Sequence, residues 1–359
     1  MTTLLVTAIE ESTGKTAVAL ALATLAKERG QSVGYMKPKG TRLESHVGKT
    51  LDSDPMLARD LLGLDAAMHE LEPVVYSPTF IQGAIRGQED PDELRTTVRE
   101  RFEDLAADRD LMVVEGGGSL TTGGIVHLTD PEVAELLDAE VLLIAAYEAP
   151  GDVDDVLAAA DLVGDRLAGV LFNAVADADF DTLTEDVVPF LESRGIDVPG
   201  VVPYTRDLAG VTVGDLASEL GAEVVTETPT DAYVERFLVG AMAADSALRF
   251  FRRTKDAAVI TGGDRADIQT AALEAPGVKC LILTGGFRPP GAVVGKAENR
   301  GVPILTVRSD TLATVERAED VVRSGRTRDA ETVDVMRRLL QEHARVDPFI
   351  GDDRLDNGH

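Results

Sequence analysis

Residues 4–25, LLVTAIEESTGKTAVALALATL, constrain this chain more than any other stretch. An apolar run of strand character meets a long Ala/Leu-rich run of helix character across a polar loop ending in Gly14-Lys15-Thr16. Strand, loop and helix in that order bring backbone N–H groups and the positive helix end to one corner, the setting in which such a loop binds phosphate. Lys15 is then expected to reach the β- and γ-phosphates, and the Thr16 hydroxyl to ligate Mg²⁺. The pattern lacks its leading glycine, which would fall at Ile9, or at Ala8 in a loop one residue longer. If that position needs positive φ, alanine there costs roughly 1 kcal/mol.

The rest of the chain alternates in the same way. Strands are expected at 4–7, 32–36, 111–114, 141–145, 169–173 and 198–202, with helices at 15–29, 55–62 and 92–107 between them. Asp54 directly before Pro55 has the arrangement of an N-cap followed by proline. Runs apolar on both faces predict a doubly wound, mainly parallel sheet. The pattern restarts after Arg206-Asp207 with a helix at 213–220 and a strand at 222–226. Strands then alternate with helices at 257–261, 267–274, 279–284, 291–300, 302–307 and 310–321, and the unit strand-Thr-Gly-Gly occurs twice, at Thr261 and Thr284. The expected fold class is therefore α/β: a P-loop domain over 1–207 and a second, smaller α/β domain over 208–328. An amphipathic helix at 329–344 and a frayed tail at 347–359 would follow.

Composition narrows the partners. Net charge is −28, from 63 acidic against 35 basic residues, so the long-range field opposes nucleic acid and anionic membranes. A haloadapted surface is the reading that fits such an excess, since salt screens the self-repulsion. Aromatics make up 4% and tryptophan is absent, so the cores must be built from Ala, Val and Leu. The lone cysteine, Cys280, lies in an apolar run and reads as a buried thiol. No apolar run approaches eighteen residues without charges, and the chain opens directly on a strand; a cytoplasmic location without a membrane span is expected.

Three further residues stand where chemistry is expected. Glu115 ends an apolar strand before Gly116-Gly117-Gly118, a position from which ligands are bound in open α/β sheets. With Lys15 and Thr16 it reads as a second Mg²⁺ anchor; by itself it reads as a turn residue. Asp54 is a metal ligand or a helix cap. Lys37, in Tyr35-Met36-Lys37-Pro38-Lys39-Gly40, neutralises a γ-phosphate, binds an acidic substrate, or is a solvated strand-end lysine; with 8 lysines in the chain, its pairing with Lys39 favours function.

Residues 8–16, Lys37-Pro38, Asp54, Val114-Glu115-Gly116-Gly117-Gly118 and the strand 169–173 resemble, in order and spacing, the dethiobiotin synthetase family of P-loop proteins, and more closely the related N-terminal domain of long phosphotransacetylases. The resemblance covers about the first 205 residues and implies an ATP site. In that site Ser12, Thr13, Gly14, Lys15 and Thr16 contact nucleotide and Asn173 reads the base. Thr16, Asp54 and Glu115 hold Mg²⁺, while Lys15 and Lys37 are the catalytic cations. Departures at Ala8, at Lys39-Gly40-Thr41 and over 119–124 weaken the case for a diamino-acid substrate and leave the nucleotide site intact. The second half, with Thr261-Gly262-Gly263-Asp264-Arg265-Ala266-Asp267 and Thr284-Gly285-Gly286, is similar to a DRTGG domain. There Arg265 either clamps an anion beside the glycine pairs, or pairs with Asp264 and Asp267 as they cap a helix. The acyltransferase domain of long phosphotransacetylases has no counterpart here, so acetyl transfer by this chain alone is not expected.

Two functions follow. One is a Mg²⁺-ATP-binding protein that hydrolyses ATP slowly and regulates or partners an acyl-phosphate enzyme on another chain. The other is an ATP-dependent ligase that activates a carboxylate or carbamate, with a small acidic substrate. A partition-type ATPase is disfavoured, because the loop positions where it carries an early lysine are Glu10 and Glu11. A homo-oligomer is expected, since related P-loop proteins often complete their sites across a dimer.

Overall fold

The computed structural model describes residues 1–41, 43–46, 49–205, 208, 210–323 and 329–351. The expected domain border at 205–212 falls partly on Arg206, Asp207 and Ala209, which lie outside the described residues, as does 352–359 of the expected tail. The chain divides into two compact units: residues 1–208 with 327–359, and residues 209–326.

In the first unit β1 (Thr2–Ala8) leads into α1 (Lys15–Glu28) and β2 (Val33–Met36). Then come the short elements β3 (Lys39–Gly40), β4 (Leu43–His46), β5 (Lys49–Asp52), α2 (Ser53–Leu62), α3 (Met68–Leu71), β6 (Val74–Val75) and α4 (Pro78–Ile85). The regular alternation resumes with α5 (Pro91–Ala106), β7 (Leu111–Glu115), α6 (Asp130–Leu136), β8 (Glu140–Ala145), α7 (Asp152–Val163), β9 (Leu167–Val175) and β10 (Gly200–Pro203). The main sheet has the order β10-β9-β8-β1-β7-β2, and every pairing in it is parallel. Side chains alternate between two cores. Leu5, Met112, Val114 and Leu143 face Val98, Phe102 and Val156, whereas Leu4, Val6, Val113 and Ile144 face α1. Because α1 is rich in alanine, it is buried nearly all round, and the helix Ala330–His343 packs over it through Val333, Met336 and Leu340.

Successive connections leave β1 first toward β2 and later toward β8 on the other side, so the strand order reverses at β1. The crevice beyond the carboxyl ends of β1 and β7 is where a doubly wound sheet binds its ligand.

Two expectations are corrected. Asp54 does not cap α2: the N-cap is Asp52, whose Oδ1 accepts the Asp54 N–H at 3.0 Å. The segment after residue 346 is not frayed throughout, because Asp347–Ile350 forms a helical turn that buries Phe349 and Ile350 against α1. Apolar side chains at those two positions outweigh the tendency of chain ends to loosen.

In the second unit β14 (Arg236–Val239), β15 (Ala257–Gly262), β16 (Val278–Thr284) and β17 (Ile304–Thr306) run parallel, with the short β12 (Glu223–Val224) antiparallel at one edge. The pair β11 (Val211–Thr212) and β13 (Tyr233–Val234) stands apart from this sheet. The two Thr-Gly-Gly units end β15 and β16, where Gly262 is paired with Thr284. Cys280 is fully buried, and burial pushes its thiol pKa up. Among the described residues no helix is long and apolar enough to cross a membrane.

Candidate functional site

The loop after β1 is bound to its surroundings at both ends. Ala8 belongs to β1, is fully buried and does not have positive φ; left-handed conformations occur instead at Ser12, φ 61°, and Gly14, φ 92°. The missing leading glycine therefore costs nothing, and the strain considered at Ala8 does not arise. Gly14 is where glycine is required. A Cβ there would stand 2.5 Å from Asn173 Nδ2, and that amide donates to Thr13 O at 2.8 Å. Thr13 donates its hydroxyl to Glu10 O at 3.3 Å, which closes the loop on itself. Lys15 opens α1 and folds back, so that Nζ donates to Gly118 O at 2.6 Å and to Glu10 O at 3.3 Å. Its ammonium thus spans the gap between the loop and the glycines after β7.

Beside the loop lies a buried ionic cluster. Thr16 donates its hydroxyl to Glu115 Oε1 at 2.7 Å, and the Tyr35 hydroxyl donates to Glu115 Oε2 at 2.7 Å. Lys37 Nζ sits 2.5 Å from Asp54 Oδ2, 2.7 Å from Asp52 Oδ2 and 3.6 Å from Glu115 Oε1. Lys37, Asp52, Asp54 and Glu115 are all no more than 2% exposed. Glu72 adds a fourth carboxylate, its Oε2 accepting the Asp52 N–H at 3.2 Å. Burial is the largest influence on Glu115 and moves its pKa up to about 7; Lys37 opposes that rise and Asp54 adds to it. Burial likewise raises Asp52, and takes Glu72 to about 7 with help from the Asp52 charge. For Lys37 burial alone would lower the pKa, but Asp54, Glu115 and Asp52 together hold it above the ordinary lysine value.

This donor set suits Mg²⁺. Thr16, Asp54 and Glu115 offer hard oxygens beside a phosphate-type loop, and Mg²⁺ ordinarily takes one or two carboxylates and completes its shell with water and phosphate. Among the described residues no group of three or more acidic, histidine or cysteine side chains is arranged to hold a metal ion.

A second buried pair supports the glycines. Lys39 Nζ bonds Asp130 Oδ1, and the Thr7 hydroxyl donates to Asp130 Oδ2, with both charged residues almost wholly buried. Gly116 lies against this pair: a Cβ there would come 2.1 Å from Asp130 Oδ2. One on Gly117 would come 2.4 Å from Lys39 O. Gly116 and Gly117 are therefore required by the Lys39–Asp130 platform, whatever ligand approaches them.

Of the residues expected from sequence, Gly14, Lys15, Thr16, Lys37, Asp54 and Glu115 are brought together at the ends of β1, β2 and β7. Thr13 and Asn173 meet at the loop's other side, and Ser12 is exposed at its tip. Sequence reasoning missed Tyr35, Asp52, Glu72 and Asp130. Tyr35 carried a weak signal, a polar atom in a buried strand that needs a partner. Asp130, in Thr129-Asp130-Pro131, reads locally as a helix start, and Glu72 carries no local signal.

In the second unit Arg265 bonds Asp267 through Nε at 3.2 Å and Met242 O through Nη2 at 3.1 Å, and the fully buried Gln269 donates to the carbonyls of Gly262 and Gly263. Arg265 itself occupies the N-cap position, and no side chain caps the helix Ala266–Ala272. The expected capping by Asp264 and Asp267 is thus corrected, while the Arg265–Asp267 pair is present.

Comparison with known proteins agrees with this architecture. The family described as "AAA domain" matches residues 2–212, and the family described as "DRTGG domain" matches residues 215–321. A phosphate acetyltransferase of Haemophilus influenzae is 24% identical over 381 residues, covering 96% of this chain and 52% of the relative. One from Pseudomonas putida is 25% identical over 364 residues, covering 96% of this chain and 50% of the relative. A cobyric acid synthase of Clostridium botulinum is 28% identical over 239 residues, covering 57% of this chain and 46% of the relative. The chain spans about half the length of these relatives. With its P-loop sheet and a second, smaller α/β unit, the chain belongs to the AAA domain family, carries a DRTGG domain, and resembles the N-terminal region of phosphotransacetylases.

Proposed function

We propose that this chain binds Mg²⁺-ATP at the loop 8–16, turns it over slowly, and serves as a regulatory or partner module for an acyl-phosphate enzyme. The observation that carries the nucleotide reading is the meeting of the Thr16 hydroxyl with the Glu115 carboxylate at 2.7 Å, beside a Lys15 folded across the loop. Lys15 would bind phosphate oxygens; Thr16, Asp54 and Glu115 would hold the cation; Asn173 would position the loop and face the base. A bound Mg²⁺ would neutralise phosphate charge.

The regulatory reading is preferred over a carboxylate- or carbamate-activating ligase for a specific reason. A ligase needs a cation directed at its acidic substrate, whereas Lys39, the lysine beside the glycines after β7, is engaged by the buried Asp130. Similarity to phosphate acetyltransferases over nearly the whole chain supports a partner that handles acyl phosphates. The proposal also has the protein cytoplasmic and homo-oligomeric, with a surface adapted to salt; a net charge of −28 opposes polyanions as partners.

Lys15→Ala tests the nucleotide reading. Charge-assisted bonds to phosphate are worth about 1.5 to 3 kcal/mol, so calorimetry in molar salt should show Mg²⁺-ATP affinity falling about 10- to 100-fold. Unchanged affinity removes the reading. ADP release over a panel of carboxylates and amines with CO₂ separates the two functions, since a rate indifferent to every addition sinks the ligase.

A further inference from the structure

The carboxylates that would hold a divalent cation already have a cation against them. Lys37 Nζ touches Asp54 at 2.5 Å and lies 3.6 Å from Glu115 Oε1, the oxygen that also receives the Thr16 hydroxyl. An ammonium at those distances and a divalent cation compete for the same oxygens, because each needs the lone pairs and the two repel one another. We propose that Lys37 is the resident counter-cation of this site, displaced from Asp54 and Glu115 when a divalent cation arrives with nucleotide. Asp52 is then the positioning residue that retains it. The inference rests on the Mg²⁺-nucleotide reading above.

The surroundings decide which partner moves. Glu115 is fixed through both oxygens, by Thr16 and by Tyr35. Asp52 is fixed as well: its Oδ1 accepts the Asp54 N–H at 3.0 Å, its Oδ2 accepts the Thr41 N–H at 3.1 Å, and its own N–H is held by Glu72. Both carboxylates are pinned by short, directional bonds, whereas the ammonium sits on a four-carbon stem with rotatable donors. Asp52 Oδ2 at 2.7 Å gives that ammonium a partner that no proposed ligand needs, so Lys37 can release Asp54 and Glu115 without being stranded as an unpaired buried charge. Cation entry thereby becomes a competition, and the site discriminates against metal without nucleotide. Nucleotide phosphate shifts the balance by adding oxygen ligands for the metal and a second anion for the lysine.

The test is Mn²⁺ binding to the full chain, followed by electron paramagnetic resonance with and without ATP. For the parent, Mn²⁺ alone should bind weakly and Mn²⁺ with ATP tightly. Lys37→Met should bind Mn²⁺ alone roughly 10-fold more tightly than the parent, a factor within the usual range for coupled sites, and its thermal midpoint should rise with Mn²⁺. A merely structural Lys37 would lower stability and leave the Mn²⁺ affinity unmoved, and that result overturns the inference. Should Lys37→Met fail to fold, Asp52→Asn decides. Without its retaining carboxylate Lys37 should hold Asp54 and Glu115 more firmly, weakening ATP-dependent Mn²⁺ binding by about 5-fold or more; parent-like binding refutes the positioning role. Failure of the parent to bind Mn²⁺ even with ATP overturns the nucleotide reading and this inference together. Tight Mn²⁺-ATP binding by the parent, with unchanged affinity in the variants, overturns the displacement alone.

Discussion

Gly14→Ala puts the architecture of the loop to a quantitative test. Gly14 holds φ 92°, and an alanine forced into the left-handed region loses about 1 to 2 kcal/mol. Its Cβ would also stand 2.5 Å from Asn173 Nδ2, too close for either atom to stay. The Asn173 side chain can withdraw, but it then gives up its 2.8 Å bond to Thr13 O, worth about 1 kcal/mol. The variant should therefore be less stable by about 2 to 3 kcal/mol, read from urea unfolding at constant molar salt. Asn173→Ala alone should lose about 1 kcal/mol, and the double variant should be no less stable than Gly14→Ala, because the bond cannot be lost twice. That leaves a coupling of about 1 kcal/mol between two residues 159 positions apart in sequence. Additive single effects, agreeing within about 0.3 kcal/mol, would refute the reasoning by showing that the Cβ does not meet Asn173.

Two other perturbations address the buried charges. In the unfolded chain Glu72 loses its proton near 4.5, whereas in the folded chain burial and Asp52 hold the proton to about 7. Across that window the unfolded state binds fewer protons, so stability falls as pH rises from about 4.5 to about 7 and levels off above. Glu72→Gln should remove about 2 kcal/mol of that fall after solvent screening, as seen in denaturation midpoints with chelator present; parallel pH profiles for variant and parent would count against it. Lys39→Met should cost about 3 to 5 kcal/mol by leaving Asp130 buried without its partner, and a loss below about 1 kcal/mol would show that the Lys39–Asp130 platform does not carry the glycine turn.

The site's legibility varied with the range of the interactions involved. The placing of Lys15 and Thr16 at the start of α1 was visible because it depends on about ten residues of chain: a strand, a turn and a helix start. Glu115 was visible because an acid ending a fully apolar strand is conspicuous. For Asp54 the cap stood beside the metal role as an alternative, because the sequence Asp-Pro favours a cap locally. In the fold Asp52 takes the cap, and Asp54 turns its carboxylate toward Lys37. The absent glycine at Ala8 looked like a defect only while the loop's backbone was unknown; the left-handed residues are Ser12 and Gly14.

By itself the sequence determined the alternation of strands and helices and the placing of a phosphate-type loop after the first strand. These follow from hydrophobic period and turn residues, which act over neighbouring positions. Only the tertiary structure decided which charges meet. Asp52, Asp54 and Glu72 come together beside Lys37, while Asp130 crosses 91 positions to reach Lys39. Buried charges tolerate only the partners that the fold supplies, and sequence distance has no bearing on that requirement.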